Sequence, residues 1–349
     1  MKAECPGCGK IYEIPDERLP KGQDISFPCR ACKKIITLKA KADSSGHADV
    51  PSGPSASPGT KTEEFLTGEA LKNRILQTVR DLPSMPQTVL KAREILADPH
   101  SSVEEVANVL ETDQAIGARV LKMANSPFYG LMGKVSSIRH ASAVLGYKTL
   151  GDIVTMAGTS GLLGKTLEGY GLAVGDLWGH SLAVAFGSKI IANRKNQPLA
   201  NDAFAAGLMH DAGKLALDPY ILERKPIFEA FMAEGQRPFL VAEKEILGFD
   251  HPEIAYDLCK NWKVPQSLAI AIRYHHSPAN SEGSDLAYIV HMADAIAMMS
   301  GVGAGLDGML YELDDGAMGF LGLQEADITA VMAEMVESLS KINTEMAVS

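Results

Sequence analysis

The feature that most narrows what this chain can fold into is a His-Asp pair, His210-Asp211, set in the apolar run NDAFAAGLMHDAGKLAL at 201–217. Phe204, Ala205, Leu208 and Met209 recur at helical spacing, Asn201 or Asp202 stands where an N-cap belongs, and Gly213 should end the helix before Lys214. Two polar groups at the end of a core helix are costly unless something pairs them. A divalent metal would do so, because neutral imidazole and carboxylate both ligate first-row ions. A hydrogen-bonded core histidine or a helix-end pair would serve as well.

The remaining histidines sharpen the choice. Of nine in the chain, six fall between positions 180 and 291: His180, His210, His251, His275, His276 and His291. His180 lies in the amphipathic LWGHSLAVAFGSKIIA, His251 opens PEIAYDLCKNW after a turn, and His275-His276 follows VPQSLAIAIRY. Asp294 interrupts the apolar helix AYIVHMADAIAMM, where an unpaired carboxylate would be expensive. The set recurs at intervals of roughly one helix-loop-helix unit, which points to convergence.

With 349 residues the chain is long enough for two or three domains. A hydrophobic fraction of 46% with only 6% aromatics favours helices, and the net charge of −10 argues against a broad nucleic-acid face. No basic-then-apolar leader and no apolar run of bilayer length is found, so a soluble, cytoplasmic protein without a membrane partner is expected. Four of the five cysteines form two Cys-x-x-Cys pairs, Cys5 with Cys8 and Cys29 with Cys32. Four thiolates complete a closed tetrahedral zinc site, and about 40 residues hold too little core to fold without one. The intervening residues alternate as short strands would. The segment is more basic than the rest but carries few aromatics, leaving at most weak nucleic-acid contact through this finger. Cys259 reads as a small core residue.

Residues 42–62 are dense in Ser, Gly, Pro and Ala and read as a flexible tether. The expected division is therefore a zinc-ribbon-like finger at 1–41, a flexible linker at 42–66 and an all-α domain at 67–349. Within the last, short helices follow one another. Ser102 and Glu105 have the spacing of a capping box, SSIRHASAVLGYKTLGDIVTMAG supplies two helices, and the final helix from about Glu325 carries the stripe Ile328, Val331, Met332, Met335, Leu339 and Ile342.

The order histidine, His-Asp, later aspartate resembles the HD superfamily of metal-dependent phosphohydrolases. That resemblance implies metal ligation by His180, His210, Asp211 and Asp294, with His251 and His275 or His276 added in two-metal members, and a phosphate-facing Lys214. The runs LPSMPQTVLKAREILADPHSSVEEVANVLETDQAIGARVLKMANSPFYG, GLMHDAGKLAL and GFDHPEIAYDLCKNWKVPQSLAIAIRYHH are similar, more specifically, to the HDOD domain, the HD-related output domain of bacterial signalling proteins. The match runs over roughly residues 74–300. The N-terminal segment resembles small fingers attached to bacterial regulators. These resemblances imply an all-α HD-like domain behind a small β zinc ribbon, zinc in the finger, and iron, manganese or another divalent metal in the helical site. They imply a regulatory module acting through signalling protein partners or a small phosphorylated ligand; the alternative is a phosphohydrolase, with Lys214 catalytic. His275-His276 leads into SPANSEG, without the Gly-Tyr-Pro segment of the HD-GYP cyclic-dinucleotide phosphodiesterases, so efficient cyclic di-GMP hydrolysis is not expected.

Overall fold

The computed structural model describes residues 2–4, 10–13, 25–28, 35–38, 65–79, 86–98, 100–233, 237–302, 305–306 and 311–346. The chain divides into two compact units, Met1–Glu63 and Glu64–Ser349.

In the first unit, β1 (Lys2–Glu4) pairs antiparallel with β2 (Ile11–Glu13), bringing Lys2 opposite Glu13. Likewise β3 (Ile25–Pro28) pairs with β4 (Ile35–Leu38), bringing Ile25 opposite Leu38. Each Cys-x-x-Cys pair therefore falls in sequence between the strands of one hairpin. Cys5, Cys8, Cys29 and Cys32 themselves, and the tether at 42–62, lie outside the described residues.

The second unit is helical. It opens with α1 (Gly68–Val79), α2 (Gln87–Ala97), α3 (Val103–Glu111) and α4 (Gln114–Ala124). Ser102 and Glu105 form the capping box: the Ser102 hydroxyl accepts from Glu105 N, and Ser102 N donates to the Glu105 carboxylate at 3.1 Å. Next comes α5 (Ile138–Leu163), which is kinked at Gly146, where φ is 78° and ψ 164°. The two helices expected there are thus real, but joined end to end, because only glycine adopts that conformation cheaply.

Between α4 and α5, the run Ala124–Gly130 has a packing role. The Asn125 side chain donates to Leu121 O and Val135 O and accepts from Val135 N, closing the loop, while Phe128 packs on Phe186 with ring centroids 5.0 Å apart.

The centre is made by α6 (Asp176–Lys195), α7 (Ala200–Met209) and α13 (Asp285–Met299), which pack on one another. Residues 286–297 of α13 are buried without interruption, as expected of a helix apolar on all sides. Around this centre stand α8 (Ala212–Glu223), α9 (Lys225–Ala233), α10 (Phe239–Leu247), α11 (His251–Asn261), α12 (Gln266–Arg273), α14 (Ala317–Leu321) and α15 (Glu325–Met346). The stripe of α15 buries Val331, Met335, Leu339 and Ile342, and the helix packs on α6. Cys259 is fully buried in α11. Among the described residues no helix is long and apolar enough to cross a membrane.

Candidate metal centre

The His-Asp segment is a turn between two helices, not the end of one. α7 begins at Ala200 after Leu199, with no side-chain cap, so neither Asn201 nor Asp202 caps it. It stops at Met209, His210 and Asp211 make the turn, and α8 starts at Ala212 with Asp211 in the N-cap position. Gly213, expected to terminate the helix, lies inside α8. Its reason is contact: a Cβ there would sit 2.0 Å from His251 O, so glycine alone lets α8 lie against the start of α11.

That packing brings the predicted residues together. His180 on α6 places Nε2 3.1 Å from Asp294 Oδ1 on α13 and 3.7 Å from Asp211 Oδ2. His210 Nε2 is 3.3 Å from Asp211 Oδ2 and 3.8 Å from Asp294 Oδ1. On the opposite side, His251 Nε2 is 3.2 Å from Asp211 Oδ1, His275 Nε2 is 3.9 Å from the same oxygen, and His276 Nε2 is 3.2 Å from His251 Nε2. Asp211 is the common member, one carboxylate oxygen facing each half. The ligand-type atoms of His180, His210 and Asp211, of His210, His275 and Asp294, and of His251, His275 and His276 lie within 4.8 Å of one another in each set.

The other ring nitrogens explain this aim. His180 Nδ1 faces Val302 O at 3.1 Å, His210 Nδ1 faces Gly207 O at 2.7 Å, and His275 Nδ1 faces Ile272 O at 2.7 Å. A carbonyl can only accept, so each Nδ1 carries a proton and Nε2 is turned inward, a lone pair wherever the ring is neutral and a donor where it is protonated, as from His180 to Asp294. His291 is different. Its Nδ1 donates to His275 O at 2.7 Å and its Nε2 accepts from Asp314 N at 2.9 Å, so both nitrogens are occupied by backbone and it braces the site.

The electrostatics suit a cation. Burial raises the Asp211 carboxyl, but His210 and Lys214 outweigh it and hold it well below the usual range; Asp294 is held down similarly by its hydrogen bond from His180. Burial, with the charges of His210 and His251, pushes His275 down to about 3, and burial with His275 and His251 keeps His276 well below the ordinary value. Burial also lowers His251, yet Glu243 and Asp211 overcome it and lift that ring to about 10. Lys214 Nζ donates to Asp211 Oδ2 at 2.6 Å. Arg273, the other nearby base, is drawn away to Glu253 at 3.0 Å and Asp250 at 3.5 Å.

Two contributors were not foreseen. Glu243 on α10 is wholly buried and accepts from His251 N at 2.8 Å, His251 Nδ1 at 2.9 Å and the Tyr170 hydroxyl at 2.6 Å. It shares a stripe with Phe239, Ala242 and Leu247, and an acid on an apolar stripe was the available signal. Tyr311 comes from a stretch without clear periodicity; its hydroxyl reaches His291 O at 3.3 Å, and its ring lies 5.2 Å from that of His276.

The residues fit a metal on their own evidence. His210 Nε2, His275 Nε2 and Asp211 Oδ1 are buried without a hydrogen-bond partner, which a native interior seldom tolerates. Beside them is a cavity of about 60 Å³ lined by Lys214, His251, His276, Asp294 and Tyr311 among others. It has room for several waters but falls short of the roughly 300 Å³ at which small-molecule pockets begin.

The HDOD domain pattern matches residues 82–278. A protein from Shewanella amazonensis SB2B, provisionally named a phosphohydrolase, has a structure similar to this one at 26% identity and a TM-score of 0.61, over 78% of this chain and 97% of that one. An HDOD domain protein of unknown function from Geobacter sulfurreducens matches at 26% identity and a TM-score of 0.60, over 80% of this chain and 93% of that one. An uncharacterised protein from Treponema pallidum (strain Nichols) is 22% identical over 204 residues, and this chain spans 39% of its length. The helical fold is that of HD-superfamily phosphohydrolases, and since the domain pattern covers more than half of the sequence, the chain belongs to the HDOD family.

Proposed function

We propose that this protein is a regulatory module of bacterial signal transduction, built around a metal-bearing HD-like site and acting through protein partners or a small phosphorylated ligand. The observation that carries the metal reading is the set of buried polar atoms left without a partner. His210 Nε2, His275 Nε2 and Asp211 Oδ1 are buried without a hydrogen-bond partner, close to Asp294 and the His180 ring. A divalent cation would satisfy them, and burying such groups without one is costly. His180, His210, Asp211 and Asp294 would hold the first ion; His251, His275 and His276, with the second oxygen of Asp211, form the place for another. The mixed nitrogen and oxygen donors suit iron, manganese or a similar divalent ion. Such an ion supplies Lewis acidity toward a phosphoryl oxygen and acidifies bound water.

Regulation is favoured over turnover because the groups that would grip a phosphate are already engaged. Lys214 is tied to Asp211, Arg273 to Glu253 and Asp250, and the adjoining cavity of about 60 Å³ is too small for a nucleotide. Metal-dependent phosphohydrolysis is the second reading. It is favoured by the position of Lys214 beside the metal ligands and is consistent with the provisional name of the Shewanella relative. The proposed organisation is a finger at 1–41 with zinc on Cys5, Cys8, Cys29 and Cys32, a linker at 42–66 and the HD-like domain at 67–349. The placement of each Cys-x-x-Cys between the strands of a hairpin supports it.

Metal analysis of the full chain is expected to find zinc that is lost with Cys29→Ser and a second metal that is lost with His210→Ala. The manganese- or iron-loaded protein is expected to leave cyclic di-GMP intact. A robust hydrolysis rate that disappears in His210→Ala would make the domain an enzyme.

A further inference from the structure

Glu243 is a fully buried carboxylate whose acceptor positions are taken by Tyr170 and His251. We infer that Glu243 is a positioning residue for the half of the site containing His251: supported by the Tyr170 hydroxyl, it fixes the His251 ring so that Nε2 faces Asp211 as a ligand. This inference rests on the metal reading above.

The geometry separates this role from an ordinary capping one. Helix α11 already has its cap, because Asp250 accepts from Glu253 N at 2.9 Å. The Glu243 contact with His251 N adds to that, but the contact with Nδ1 acts on the ring. His180, His210 and His275 have their Nδ1 held by neutral carbonyls, whereas His251 Nδ1 is backed by a carboxylate. A carboxylate behind an imidazole fixes its tautomer and raises the basicity of the far nitrogen, and losing such a partner commonly weakens metal binding by about 10–100-fold. Tyr170 is in turn fully buried, and its carbonyl accepts from Leu306 N at 3.0 Å. The hydroxyl that holds Glu243 is therefore itself anchored, and the chain Tyr170–Glu243–His251–Asp211 runs from a loop before α6 into the centre.

The test uses the full chain with its finger saturated with zinc, and Mn²⁺ alone as the probe. Glu243→Gln keeps the shape but leaves one acceptor oxygen for three donors, the Tyr170 hydroxyl, His251 N and His251 Nδ1. It is expected to weaken the Mn²⁺ binding that depends on His251 by about 10–100-fold, and Tyr170→Phe to weaken it less. In ¹H–¹⁵N NMR the His251 Nδ1 proton should be protected from exchange in the wild type and lose that protection in Glu243→Gln. Unchanged Mn²⁺ affinity in both variants would overturn the proposal and leave Glu243 a packing residue. Should Glu243→Gln not fold, Tyr170→Phe decides the question through the same two measurements. Absence of Mn²⁺ binding by the wild type would refute the metal reading instead; the Nδ1 proton would still decide the hold on His251, and its full protection in Glu243→Gln would overturn the inference.

Discussion

The two halves of the centre share Asp211 but are built differently. His180 and Asp294 stand on α6 and α13 and His210 in the turn that directly follows α7, the three helices that pack on one another at the centre, and the two imidazoles are oriented by main-chain carbonyls. His251, His275 and His276 stand at the start of α11 and just beyond α12, and one of them depends on a side chain, Glu243, for its aim. The first half is thus fixed by the same burial that stabilises the fold. The second depends on how two helix ends dock, so it can be disturbed with the core intact.

The largest effect tests what the halves have in common. Asp211→Ala should abolish cation binding in both and leave Lys214 buried without its carboxylate, destabilising the fold by about 3–5 kcal/mol. A denaturant titration alongside a Mn²⁺ isotherm would check both. If only one half loses its ion, Asp211 does not bridge them.

Gly213→Ala should separate the halves. The added methyl would meet the main chain of His251 and force α11 away, at about 1–3 kcal/mol for an overpacked contact. Binding at the His251 half should suffer while the His180 half persists. Equal loss in both would mean that the halves are one rigid unit.

The next effect is a pH dependence of the metal-free protein. His251 is raised to about 10 from an ordinary 6.5, so the stability from its proton between Glu243 and Asp211 is fully present below pH 6.5 and lost as pH rises through 10. A cation on Nε2 must displace that proton, so affinity at this half should rise over the same interval. Thermal midpoints and Mn²⁺ isotherms from pH 6.5 to 10 should move in opposite directions; parallel movement would remove His251 from the ligand set.

The smallest effect is a control outside both halves. Ser102→Ala removes the capping box of α3 and should cost about 1 kcal/mol, with Mn²⁺ binding unchanged.

Much of this molecule was legible from local pattern. The capping box, the stripe of α15 and the placement of His251 and Asp294 on helices follow from a period near 3.6 and from short-range hydrogen bonding, which neighbouring residues carry. The convergence of these side chains was legible for a related reason: imidazoles and carboxylates in apolar helices need partners wherever they end up. Local pattern failed where distance along the chain mattered. Asn201 and Asp202 looked like caps, but the His-Asp turn and the docking of α7 set that boundary. Gly213 looked like a terminator, yet its role is defined by a carbonyl 38 positions away, at His251. Tyr170 and Glu243 are 73 residues apart, and nothing near either one announces the other. Periodicity along one helix determines which face is buried; which atom meets that face, which nitrogen keeps its proton and how much room remains for a ligand are decided only when the helices pack.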